Sequence, residues 1–194
     1  MQNIQEVVGI TAGIIGILGY IPYIISILKG QTKPNRATWF IWTLVGGLLF
    51  FSYMAAGDKE AMWLPLGYFI GPFITALLSI RYGYAVWTRV DTVCVAAALL
   101  SIIPWIWADS PTATLVINVL IDSAGAIPTL VKTHKEPDTE DFTAWLIFFI
   151  ANTLNLFALT SFNLSVLYPV YLFILAGWIT VLTFLDKVKR RTAS

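Results

Sequence analysis

This chain of 194 residues is short of almost everything from which an active site in water is built. It has one cysteine, Cys94, and one histidine, His134, so an intrachain disulfide, a thiolate metal cluster and a histidine pair are all excluded. Charged residues make up only 12% of the chain, and 12 Lys and Arg against 11 Asp and Glu leave a net charge of +1, with no expectation of a nucleic-acid partner. No Gly-Lys loop is present to cradle phosphate, and no two acidic residues pair within an apolar segment. The expectation is therefore a protein without enzyme activity, cofactor or bound metal. A retinal photoreceptor is excluded as well, because the last apolar segment has no interior lysine and Lys187 comes only at its end.

What the chain has instead is apolar length. It is 58% hydrophobic with a mean hydropathy of +0.77, more apolar surface than packing in water can hide. Apolar stretches fall at about 5–28, 37–56, 61–81, 86–107, 112–132, 142–161 and 165–186. Each approaches the roughly 20 residues a helix needs to cross the hydrocarbon of a bilayer. The expectation is an integral membrane protein with seven transmembrane helices. The first stretch has no basic segment before its apolar run and is read as part of the mature protein rather than as a signal peptide. Cys94 lies inside the fourth stretch as a packing residue, and His134 sits between Lys132 and Lys135 in a solvated loop.

The basic residues orient the spans. Lys29, Lys33, Arg36, Arg81, Arg89, Lys132, Lys135, Lys187, Lys189, Arg190 and Arg191, 11 of the 12, fall on the side reached after the odd-numbered stretches. Only Lys59 lies opposite. The positive-inside rule then places the C-terminus in the cytoplasm and the N-terminus outside, in the plasma membrane. An even number of spans would destroy this segregation.

The chain also repeats itself. Residues 19–39 lie over residues 125–145 at an offset of 106, with Gly19/Gly125, Ile21/Ile127, Pro22/Pro128, Lys29/Lys135 and Trp39/Trp145 coincident without a gap. The register continues through Phe51/Phe157 and Gly71/Gly177. The repeats occupy 1–84 and 110–194, each with three spans, and an extra span within 85–109 links them. An odd repeat plus one linking span makes both repeats enter the membrane from the same side. Such parallel repeats imply an axis along the membrane normal and a substrate site between the halves near the midplane.

An apolar-Pro segment late in the first and fifth spans, Gly19-Tyr20-Ile21-Pro22 and Gly125-Ala126-Ile127-Pro128, followed by a basic loop and a Trp-led helix, resembles the SWEET and PQ-loop superfamily of transporters. Tyr23 and Thr129 stand where that family has the glutamine of its motif. The resemblance covers nearly the whole chain. It implies two parallel triple-helix bundles joined by a linker helix, and a carrier that works by alternating access.

Asp122 carries most weight within the membrane. It is ten residues from both Thr112 and Lys132, where a carboxylate costs at least ~2.5 kcal/mol on insertion scales. Asn118 lies one helical turn before it, and Asn152 and Asn155 fall at a similar depth in the sixth span. Their repeat counterparts are Ala12, Gly16, Gly46 and Leu49, three of them small. These positions predict an asymmetric site in which Asp122, Asn118, Asn152 and Asn155 bind and Ala12, Gly16 and Gly46 leave space. The alternative is that the asparagines join helices, at ~0.6 to 2 kcal/mol per bond. Asp122 suits proton coupling, or it stays a neutral acid that donates a hydrogen bond.

Pro22 and Pro128 each remove one intrahelical hydrogen bond and are read as hinges of a gate, with Tyr20 beside them; static kinks are the competing reading. Trp42 and Phe148 are matched across the repeats and are candidates for the solute path. Trp39, Trp63, Trp87, Trp107 and Trp145 are placed in an interfacial aromatic belt. Gly9 and Gly13 form a GxxxG pair for packing within a bundle or for dimerisation. Glu136, Asp138, Glu140 and Asp141 read as a solvated loop that starts a helix, and Lys187, Lys189, Arg190 and Arg191 as an anchor to anionic headgroups. The expected function is a carrier of a small polar, sugar-like solute, with proton coupling left open. An amino-acid or cation transporter and a cargo receptor of the same fold are the alternatives. One copy suffices for the path, and a homo-oligomer is compatible with it.

Overall fold

The computed structural model of the chain describes residues 2–55, 63–107, 110–159 and 164–192. Among these all regular structure is helical: α1 (Gln2–Leu28), α2 (Arg36–Ala55), α3 (Trp63–Tyr82), α4 (Arg89–Leu100), α5 (Ile102–Ile106), α6 (Pro111–Lys135), α7 (Phe142–Phe157) and α8 (Leu167–Thr192), with short 3-10 turns at Pro137–Thr139 and Leu164–Val166. Three segments are long and apolar enough to cross a membrane: Ile4–Leu28, Ala113–Lys135 and Leu167–Thr192. Arg36–Phe51, Leu66–Tyr82 and Phe142–Phe157 are shorter apolar helices. Lys59, the basic residue expected opposite the others, lies outside the described residues.

Local chemistry sets the helix ends. α1 stops at Gly30, whose φ of 72° is open to glycine, while Gly30 N–H donates to Ile27 O (2.8 Å) and Gln31 N–H to Ser26 O (3.0 Å). This is the pairing of a Schellman motif. α2 starts at Asn35, whose Oδ1 accepts from Thr38 N–H at 3.1 Å, and α7 starts at Asp141, whose side chain accepts from Ala144 N–H at 2.7 Å. The two caps are one repeat offset apart, and each satisfies an orphan donor of the first turn. Thr88 and Asp91 form a capping box at α4, which ends at Leu100 because Pro104 has no N–H for that carbonyl. Pro22, Pro72 and Pro128 lie inside α1, α3 and α6.

The described chain divides into two compact units, 1–32 with 132–194 and 33–131. The first contains α1, α7 and α8, and the second contains α2 to α5 and nearly all of α6. The units therefore cut across the repeats, because the first helix of each repeat packs with the second helix of the other.

In the first unit α1 lays its small residues on α7. Gly9 faces Ala158 Cβ, with 3.4 Å to an added Cβ, and Gly19 faces Ile147 and Phe148. The opposite side of α1 carries Ile4, Val7, Ile10, Ile14, Leu18, Ile21, Ile25 and Leu28, each 46–69% exposed. Small residues inside and large aliphatics outside invert the pattern of a helix on a water-soluble core, as expected where lipid replaces water. At the far end of the same unit Arg190 reaches Asp138 (2.9 Å) and Asp186 (2.8 Å). Lys187 lies over the Phe142 ring. Two residues of the basic tail, both exposed, thus also contact side chains of the protein itself.

The second unit centres on Ile41, Val45, Cys94, Ala98 and Ile121, with Val90, Val95 and Ile117 packed around them. Cys94 is buried there, as a packing residue. Gly46 lets α2 and α3 touch, since a Cβ there would lie 2.7 Å from Tyr68 O.

Candidate functional site

Within the second unit, Asp122 is buried at 5% exposure in the middle of α6, and the Trp42 indole N–H donates to its backbone carbonyl at 3.2 Å. The Trp42 ring meets Trp39 edge-on at 5.0 Å and closes on Gly125, where an added Cβ would lie 3.0 Å from the indole. Asn118, one turn before Asp122, is half-buried, and its Oδ1 is buried with no hydrogen-bond partner among the described residues. Asp122, Asn118 and Trp42 thus occur together in one unit, as does Gly46, whose open side is taken by α3. Pro128 is buried and braced: the N–H of the following Thr129 donates to Thr38 Oγ1 at 3.2 Å, and the two hydroxyls meet at 2.9 Å.

The first unit holds the remaining sequence candidates. Phe148 fills the gap left by Gly19, with 2.6 Å from an added Cβ to its ring, and packs edge-on against Tyr20 (5.1 Å) and Trp145 (5.6 Å). Asn152 donates to Phe148 O in its own helix at 2.8 Å, which commits one of its two amide hydrogens to a local bond. Asn155 is half-buried, and Ala12 and Gly16 are buried on α1. The glycine–aromatic contacts repeat: Gly19 on Ile147 and Phe148 corresponds position by position to Gly125 on Ile41 and Trp42 at the offset of 106.

The belt reading of the tryptophans divides. Trp87 and Trp107 are exposed as expected, whereas Trp39 and Trp145 are buried at 1% and 3% and do not face a membrane. The side chain of Trp63 lies outside what is described. The buried Trp145 N–H is satisfied by Glu140 Oε2, to which it donates at 2.8 Å.

Glu140 is the principal residue that sequence reasoning missed. Its side chain is fully enclosed rather than solvated, Oε1 accepts from Lys132 Nζ at 2.5 Å, and Oε2 also accepts from Tyr23 OH at 2.8 Å. Lys132 in turn donates to Thr139 O at 3.3 Å. A buried ion pair needs this degree of additional bonding to offset its desolvation. The signal lay in the repeat, since Tyr23, Lys132 and Glu140 stand opposite Thr129, Ser26 and Pro34, none of them charged. A second missed set lies in the other unit. There Asn35 Nδ2 donates to buried Asp91 at 2.8 Å, tying the cap of α2 to the capping box of α4.

No group of His, Cys, Asp and Glu among the described residues could hold a metal ion. Compared with known protein families, with curated proteins and with solved structures, the chain matches none.

Proposed function

We propose that this chain is a membrane carrier of a small polar solute, with seven spans in a three-plus-one-plus-three order and a SWEET-like or PQ-loop-like alternating-access cycle. The orientation that goes with it has the N-terminus outside and the C-terminus in the cytoplasm. The observation that carries the reading is Asp122, a buried acid in the middle of a helix long and apolar enough to span a bilayer. An ionisable residue at such depth marks a solute or ion path by default. The Asn118 Oδ1 one turn away, with no partner among the described residues, supports a ligand there, because a buried acceptor without a donor costs free energy. Such an acceptor suits a solute that brings donors: the hydroxyls of a sugar or the ammonium of an amine. The Asp122 carboxyl favours the second of these, which keeps an amino-acid or cation carrier as the alternative.

The test is a thermal-shift screen of the purified protein against sugars, amino acids and nucleosides, repeated with Asp122→Asn and Asn118→Ala. A solute that stabilises the wild type and loses that effect in both variants is the expected result. Stabilisation unchanged in both variants retires the site.

A further inference from the structure

We propose that Tyr23, Lys132, Glu140 and Trp145 form a latch that holds the end of α1 beyond Pro22 against the start of α7, and that opening it frees this segment to swing about Pro22. Proline at position 22 removes the hydrogen bond that the Leu18 carbonyl would accept, so the last turns of α1 are tied less firmly to the helix before them. Within the first unit, what ties them sideways is Tyr23: its hydroxyl donates to Glu140 Oε2 at 2.8 Å, and its ring stands edge-on to Trp145 at 6.4 Å. Glu140 is not in a helix. It lies between the 3-10 turn Pro137–Thr139 and the cap Asp141, in extended backbone (φ −118°, ψ 151°), and is held there by Lys132 and the Trp145 indole.

The other proline is held by different means. Thr129, after Pro128, is pinned to Thr38 through its backbone N–H and its hydroxyl, a neutral contact between two helices. The repeat positions of Tyr23, Lys132 and Glu140 are Thr129, Ser26 and Pro34, so the second unit has no counterpart of the ion pair. A buried pair carries a desolvation cost that apolar packing would avoid, and loss of Lys132 or of Glu140 leaves a buried charge or buried donors unpaired, whereas loss of the Tyr23 hydroxyl leaves Oε2 bonded to Trp145 and unties only α1. Tyr23 is thus the catch and the ion pair its seat.

The proposal is independent of any solute and is read from hydrogen exchange, not from uptake. Tyr23→Phe removes only the hydroxyl, and Lys132→Met combined with Glu140→Leu removes both charges without stranding either. Measured by mass spectrometry on protein in detergent, both variants are expected to raise exchange across residues 23–31 by about tenfold or more, while α2 and α3 keep wild-type rates. Thr38→Val is the control and should act at Thr129 and its neighbours, leaving 23–31 unchanged. Exchange of 23–31 within about twofold of wild type in both variants, or a rise spread evenly over every helix, overturns the latch.

Discussion

Glu140 and Asp122 are both acidic residues in an apolar chain, and their surroundings give them opposite characters. Glu140 has both oxygens committed to Lys132, Tyr23 and Trp145. Glu140→Ala strands a buried ammonium and should destabilise the protein by about 3–5 kcal/mol, whereas Lys132→Met with Glu140→Leu removes both charges, leaves only the Tyr23 and Trp145 donors without their acceptor, and should cost less, about 1–3 kcal/mol. Unfolding in detergent, followed by far-UV circular dichroism, measures both, and a double variant as damaged as the single contradicts the expectation. One turn from Asp122, Asn118 Oδ1 is a buried acceptor with no donor among the described residues. If a proton travels with the solute there, Asp122→Asn should abolish the response of uptake to an imposed pH gradient in proteoliposomes and leave solute exchange intact. Asp122 stood out in the sequence because a carboxylate within an apolar run is conspicuous. Glu140 did not, because a loop with four acids looks solvated until α1 and α7 close over it.

At the scale of elements, the repeat is visible as equivalent joints rather than as equivalent surfaces. Asn35 and Asp141 each cap a helix, so Asn35→Ala and Asp141→Ala should each cost about 1 kcal/mol, and Asn35→Ala more because it also deprives buried Asp91 of a donor. Chemical denaturation of the two variants side by side gives the difference. Gly19 and Gly125 each receive an aromatic ring from the partner helix. Replacing either with Val should overpack the joint and cost about 1–3 kcal/mol, seen as a lower unfolding midpoint. These joints could be read from sequence as matched positions, since glycine, proline and cap residues act locally and leave a mark at fixed spacing. Their partners could not. Trp39 and Trp145 look like interfacial anchors from their place at span ends and are buried because a neighbouring helix covers them.

At the scale of the whole molecule, each compact unit is assembled from both repeats, α1 with α7 and α8, and α6 with α2 and its neighbours. Neither half of the chain contains a complete unit. Fragments 1–107 and 108–194 are therefore expected to co-purify when produced together and to aggregate when produced singly; a stable, monodisperse 1–107 fragment would count against this arrangement. The sequence by itself determined the helical class, the apolar stretches at about 5–28, 112–132 and 165–186 that the structure bears out as helices long enough to cross a membrane, the prolines inside α1 and α6 and the position of Asp122. All of these follow from short-range rules of hydropathy, backbone geometry and spacing. Only the tertiary structure decided that α1 packs on α7, that Glu140 and Lys132 meet in the interior, and that the helix segments after the two prolines are held by unlike contacts. The reason is physical: pairing between helices is settled by which side chains fit and which polar groups find partners across 91 to 117 residues of chain, and no local pattern encodes that choice.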